Sequence, residues 1–185
     1  MKNFFLVLFA VSSLIAKGQL IFEAYANNEE VSYISISPKM FEMLGKMMVP
    51  TTNPEAEEFL KMVQSISNFK VLISANGSIS DEMFRWVKGH VQEKDLEELM
   101  IVTDNDADIY FYVKESNREN FVELLLMFAY DKSGDKKAVI GGKGIESVLM
   151  LIEGNIDLNQ ISKLTEKMDL PGGEQLKKAG KNNSL

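Results

Sequence analysis

Between Leu99 and Ile152 the chain is a succession of short apolar, β-rich runs separated by polar loops, and this succession limits the fold more than any other feature. Leu99 to Thr103 and Ile109 to Val113 flank Asp104-Asn105-Asp106-Ala107-Asp108, and Phe121 to Tyr130 precedes Asp131-Lys132-Ser133-Gly134-Asp135. Val139-Ile140 and Ser147 to Ile152 follow. Runs rich in Val, Ile, Tyr and Phe, with Asp, Asn, Ser and Gly between them, predict consecutive hairpins. Phe121 to Tyr130 is long enough for a helix, and Leu124, Leu125 and Phe128 also fit a helical face. The loop that follows it favours a strand.

The first half reads differently. Glu30 to Ile36 predicts a strand with one wet face, and Ser37-Pro38 then starts a helix, with proline at the first helical position. Met40, Phe41, Leu44, Met47 and Met48 recur at helical spacing up to Val49-Pro50, where the residue before proline disfavours helix. Thr51-Thr52-Asn53-Pro54 repeats the start signal, Glu55, Glu57 and Glu58 suit a first turn, and Phe59, Leu60, Val63 and Ile66 form a stripe. Asn68 to Ala75 predicts a buried strand and Asn76-Gly77 a turn. Ser80 then caps a helix through Met83, Phe84, Val87 and Val91, ending near Gln92. Asp157 opens a last helix through Leu158, Ile161, Leu164 and Met168, stopped by Pro171-Gly172-Gly173. The expected class is α+β: an antiparallel or mixed sheet with helices packed on one face, in the order β-α-α-β-α-β-β-β-β-α.

The N-terminus predicts export. Lys2, the apolar stretch Phe4 to Ala16, and the small-x-small site Ala16-Lys17-Gly18 follow one another as in a secretory signal peptide. The stretch is shorter than the ~20 residues a spanning helix needs, which favours cleavage over anchoring. The expected organisation is a signal peptide over 1–18, one domain over 19–170 and a disordered tail over 171–185. Residues 1–18 hold two of the 20 basic residues and none of the 27 acids, so 18 bases against 27 acids give the processed chain a formal charge of −9. Such a balance argues against nucleic acid, which needs clustered Lys and Arg, and against anionic lipid. The absence of cysteine rules out disulfides, thiolate chemistry, Cys-ligated metals and a lipid-modified N-terminal cysteine. Folding must rest on apolar burial, and no second run predicts a transmembrane helix.

Candidate motifs are sparse. Asp104, Asp106 and Asp108 resemble the start of a calcium loop with Glu115 at the twelfth position, but Ile109 stands where the sharp bend needs glycine. A solvated acidic hairpin loop is the favoured reading and a weak cation site the alternative. His90 is the one histidine, too few for a His-based zinc site or a Ser-His-Asp triad, and reads as a surface or half-buried residue stacked on Trp86. Ser67-Asn68-Phe69-Lys70 matches a Ser-x-x-Lys pattern that works only on a helical turn, whereas here it leads into a strand. Gly141-Gly142-Lys143-Gly144 lacks the spacing of a phosphate loop and reads as a turn or bulge. Met40, Met43, Met47 and Met48 read first as core packing, with an adaptable binding face or a soft copper site as alternatives. The 27 acids are scattered and identify no carboxylate pair.

Several segments carry a resemblance. Val31 to Phe41, Asp108 to Glu115, Val122 to Leu126 and Leu149 to Leu158 resemble the Bacteroidetes secreted family called domain of unknown function 4252, over roughly residues 21 to 170. The resemblance implies an exported bacterial envelope protein with no assigned activity and no site residues to carry over. Many members are lipoproteins, and the missing cysteine sets this chain apart from them.

The function expected on these grounds is a non-catalytic periplasmic or secreted module for a protein or small-molecule partner, with no catalytic residues, no cofactor, no nucleic acid and no lipid anchor. The rivals are an envelope hydrolase using carboxylate or serine/lysine chemistry, and a regulatory envelope-stress component.

Overall fold

In a computed structural model of the chain, the structure describes residues 20–47, 54–103, 105–118, 120–132, 139–140 and 143–158. The expected signal peptide, the last helix beyond Leu158 and the tail lie outside these residues. Four helices are described: α1 (Leu20–Tyr25), α2 (Pro38–Met47), α3 (Pro54–Ser65) and α4 (Gly77–Lys94). The strands are β1 (Val31–Ile36), β2 (Ile66–Ser74), β3 (Glu97–Thr103), β4 (Ala107–Glu115), β5 (Phe121–Asp131), β6 (Val139–Ile140), β7 (Lys143–Gly144) and β8 (Ser147–Asp157). The class is α+β, and the strands and helices follow the expected order. α1, too short to show a helical period, was not expected and precedes β1.

Six strands form one sheet in the order β1-β2-β8-β5-β4-β3, every pair antiparallel, while β6 and β7 form a separate small hairpin. β8 returns between β2 and β5 and joins the early β1-β2 pair to the β3-β4-β5 meander. The three strands with the longest apolar runs thereby occupy the interior of the sheet. All residues from Phe69 to Ser74, from Leu124 to Phe128 and from Ser147 to Ile152 are buried. A continuous apolar run, rather than an alternating one, is what a strand covered on both faces requires.

Both faces are in fact covered, which corrects the expectation that the helices gather on one. α2 and α3 place Phe41, Met62 and Val63 on a face formed by Phe69, Val71, Phe111, Leu125, Met127, Met150 and Ile152. On the other face α1 and α4 place Ile21, Phe22, Ile79, Met83 and Val87 over Leu72, Leu126, Phe128, Leu149 and Leu151. The register pairs Met127 with Met150 on the first face and Leu126 with Leu151 on the second. Fully burying each such side chain is worth roughly 1.5–3 kcal/mol, so two covered faces anchor the sheet without any cross-link.

Local chemistry sets the ends of α4 differently from the sequence reading. Its N-cap is Asn76, in extended conformation, whose side chain accepts from the Ser78 and Ile79 amides. Ser80 lies one turn inside and is fully buried. Asn76-Gly77 is thus a helix entrance, for which an Asn side chain serves as well as it serves a turn. The Glu146 carboxylate lies against the start of the helix, its Oε1 2.7 Å from where a Cβ on Gly77 would stand. The helix runs on to Lys94 and closes at Asp95, which takes the left-handed conformation at φ 53°.

Candidate functional site

α4 packs on its face of the sheet and makes two different neighbourhoods. Its first half faces the start of β4 and the end of β5. Here Phe84, Tyr110, Phe128 and Tyr130 wall a cleft of about 250 Å³, with Ser80, Asp81, Asp108 and Lys132 completing the lining. Period-two alternation aims the walls: Tyr110 on β4 and Phe128 and Tyr130 on β5 lie on one face, and the register sets Tyr110 opposite Phe128. Phe84 stacks on Phe128 with centroids 5.4 Å apart at 18°, and lies 5.3 Å from Tyr110. Tyr110 and Phe128 are 6.5 Å apart.

The polar lining is part structural and part available. Ser80 and Ser147 are both buried, their hydroxyls 2.7 Å apart, and the Ser80 hydroxyl also lies 3.0 Å from the Asn76 main-chain oxygen, to which it donates. Neither oxygen is a base, so Ser80 has no general base to activate it as a nucleophile. The Lys132 ammonium donates to Asp108 Oδ1 at 2.9 Å. Asp81, on the exposed side of α4, forms no ion pair among the described residues. Burial and then the nearby Asp108 raise the Tyr110 phenol pKa. Burial, then Glu146, Asp81 and Asp131, raise that of Tyr130. Both phenols therefore stay protonated at neutral pH and present O–H groups to the cleft.

The second half of α4 meets α1. Trp86 packs edge-on against Phe22 at 5.8 Å and stacks on His90 at 4.3 Å and 16°. The stacking partner is the expected one, but His90 is buried, with 4% of its surface exposed, instead of lying at or near the surface. Neither ring nitrogen has a hydrogen-bond partner among the described residues. Burial, then the Lys94 charge, lowers the imidazole pKa, with Glu93 and Glu153 opposing. Nearby, buried Lys70 donates to Glu23 of α1 at 2.7 Å and lies 5.6 Å from the Phe22 ring. Ser67 is exposed and Lys70 buried within β2, so the Ser-x-x-Lys residues face apart as a strand dictates.

The remaining sequence candidates are dispersed. Asp104 lies outside the described residues; Asp106 is exposed and Asp108 pairs with Lys132 at the cleft. Ile109, at the bend position of a calcium loop, lies inside β4 opposite Val102, so the acidic segment is the turn of a hairpin. Among the described residues no group of three or more His, Cys, Asp or Glu side chains is placed to hold a metal. Lys143-Gly144 pairs with Val139-Ile140 as a strand of the small hairpin, and Gly141-Gly142 lie outside the described residues. Met40 and Met43 turn away from the core, 49% and 46% exposed, while Phe41 and Leu44 pack inward. This corrects the core reading for those two methionines; the side chain of Met47 and all of Met48 lie outside the described residues.

The cleft itself escaped the sequence reading. Its trace is the i, i+2 placement of Tyr110 with Tyr112 and of Phe128 with Tyr130, which puts aromatic side chains on one side of neighbouring strands. No helix among the described residues is long and apolar enough to cross a membrane. A family model described as a domain of unknown function (DUF4252) matches residues 25–164. No curated protein and no solved structure matches the chain.

Proposed function

The chain belongs to the DUF4252 family, and we propose that it is an exported, non-catalytic binding module whose site is the aromatic cleft between α4, β4 and β5. The observation that carries this reading is the cleft: four aromatic walls, two phenol hydroxyls, a carboxylate without an ion pair among the described residues, and an ion pair converge on about 250 Å³. Apolar walls with a few placed polar groups are the composition of a small-molecule site. Support for a non-catalytic role is that Ser80 faces another serine and a main-chain oxygen, Lys132 is ion-paired with Asp108, and the one histidine is buried. Support for export is the Lys2, Phe4–Ala16, Ala16-Lys17-Gly18 sequence.

A soluble fragment collection screened by protein-observed NMR tests the site. Hits are expected to move the amides of Phe84, Tyr110 and Tyr130 together. Hits gathered elsewhere, or none at millimolar concentration, would refute the reading. N-terminal sequencing of protein from the envelope fraction tests export: the expected first residue is Gln19, and an intact Met1 in the working form would overturn it.

A further inference from the structure

The cleft carries an excess of negative charge over π-faces, and both features select the same ligand. Among the described residues its lining holds Asp81 and Asp108 against one cation, Lys132. The walls are the rings of Phe84, Tyr110, Phe128 and Tyr130, whose faces are negative. The chain already satisfies this surface with its own ammonium groups. Lys88 Nζ stands 4.3 Å from the Phe84 ring centroid, and Lys132 Nζ sits on Asp108 within the cleft.

Resting on the reading of the cleft as the binding site, we infer that its ligand is an organic cation: an amine or quaternary ammonium on a compact apolar or aromatic body. The ammonium takes Asp81, the rim carboxylate without an ion pair among the described residues, and the body lies against the stacked Phe84 and Phe128 rings. An anion meets Asp81 and Asp108 and must share Lys132 with Asp108, which already holds it. A neutral body of the same shape keeps the stacking and forgoes both the carboxylate and the cation–π attraction.

The test uses the processed chain and three probes of one shape: benzylammonium, benzyl alcohol and benzoate, titrated by NMR at pH 7 and low salt. Benzylammonium is expected to bind at the cleft about tenfold more tightly than the alcohol, in the range of cation–π and carboxylate contacts at a part-open site. Benzoate is expected to be the weakest of the three. The exposed-site variant Asp81→Asn should lose roughly threefold or more of the ammonium affinity and none of the alcohol's. Lys132→Met should strengthen ammonium binding by releasing Asp108. Equal binding of alcohol and ammonium, or preference for benzoate, overturns the cation assignment and leaves the cleft standing as a binding site. Absence of all three probes from the cleft overturns both.

Discussion

The buried imidazole of His90 offers the sharpest test of how the α1–α4 interface is held together. Replacing it by phenylalanine keeps a flat ring against Trp86, now 4.3 Å from its centroid, and removes two nitrogens that have no partner among the described residues. A buried polar group without a hydrogen bond costs about 1–3 kcal/mol, and the slightly larger ring returns up to about 1 kcal/mol as crowding. His90→Phe should therefore stabilise the protein by roughly 1–2 kcal/mol at pH 7.5, or ~3 °C in Tm per kcal/mol for a chain of this size. The pH dependence adds a second signature. Burial and Lys94 depress the folded pKa, so below the unfolded value near ~6.5 the unfolded chain binds the proton first. Wild-type stability should then be level above that pH and fall by up to about 1.4 kcal/mol per unit below it. With one histidine in the chain, the slope between pH 6.5 and 5.5 belongs to this residue. Urea melts of both proteins at pH 7.5, 6.5 and 5.5 measure it. Destabilisation of the variant by more than about 1 kcal/mol at pH 7.5, or parallel pH profiles for the two proteins, would refute the reasoning.

Other consequences are equally direct. Gly154 sits at φ +150°, and a Cβ there would lie 2.2 Å from the Ser65 main-chain oxygen, so Gly154→Ala should cost about 3 kcal/mol or more in thermal or urea melts. The Ser80–Ser147 pair calls for a double-mutant cycle: either alanine alone should cost about 1–2 kcal/mol, and the double variant less than the sum of the two. At the Lys70–Glu23 pair the partners differ in burial, 11% and 54% of the side chain exposed, so the two ends should respond unequally. Glu23→Gln leaves a buried ammonium short of its counter-charge and should cost about 1–3 kcal/mol, whereas Lys70→Met should cost under ~1 kcal/mol by chemical denaturation. Calcium at millimolar concentration should leave Tm unchanged, because Ile109 is a strand residue and Asp108 is engaged by Lys132; a rise of several degrees would revive the cation loop.

The pattern of residues along the chain dictated most of the elements. Proline after serine started α2, the polar loops separated the β3-β4-β5 hairpins, and the loop after Tyr130 favoured strand for the ambiguous run of β5. These features act within a few residues of backbone, so periodicity and turn chemistry register them. Helix entrances were less legible: Asn76 caps α4 by a local contact, yet Asn-Gly followed by Ser-x-Ser-Asp-Glu allows either start. The short α1 carries too few residues to display a period.

What neighbours what was decided in three dimensions. That β8 would slide between β2 and β5 is not written near Ser147, although its unbroken apolar run requires two covered faces. The β4-β5 register sets Tyr110 beside Phe128, but only the packing of α4 on the sheet brings Phe84 to them, and only the tertiary fold buries His90. The sequence by itself determined class, element order and the absence of cysteine chemistry, because composition and local backbone preference are properties of short segments. The tertiary structure alone decided which helices cover which face and where aromatic rings and carboxylates converge, because long-range packing is a property of pairs that the chain order keeps apart.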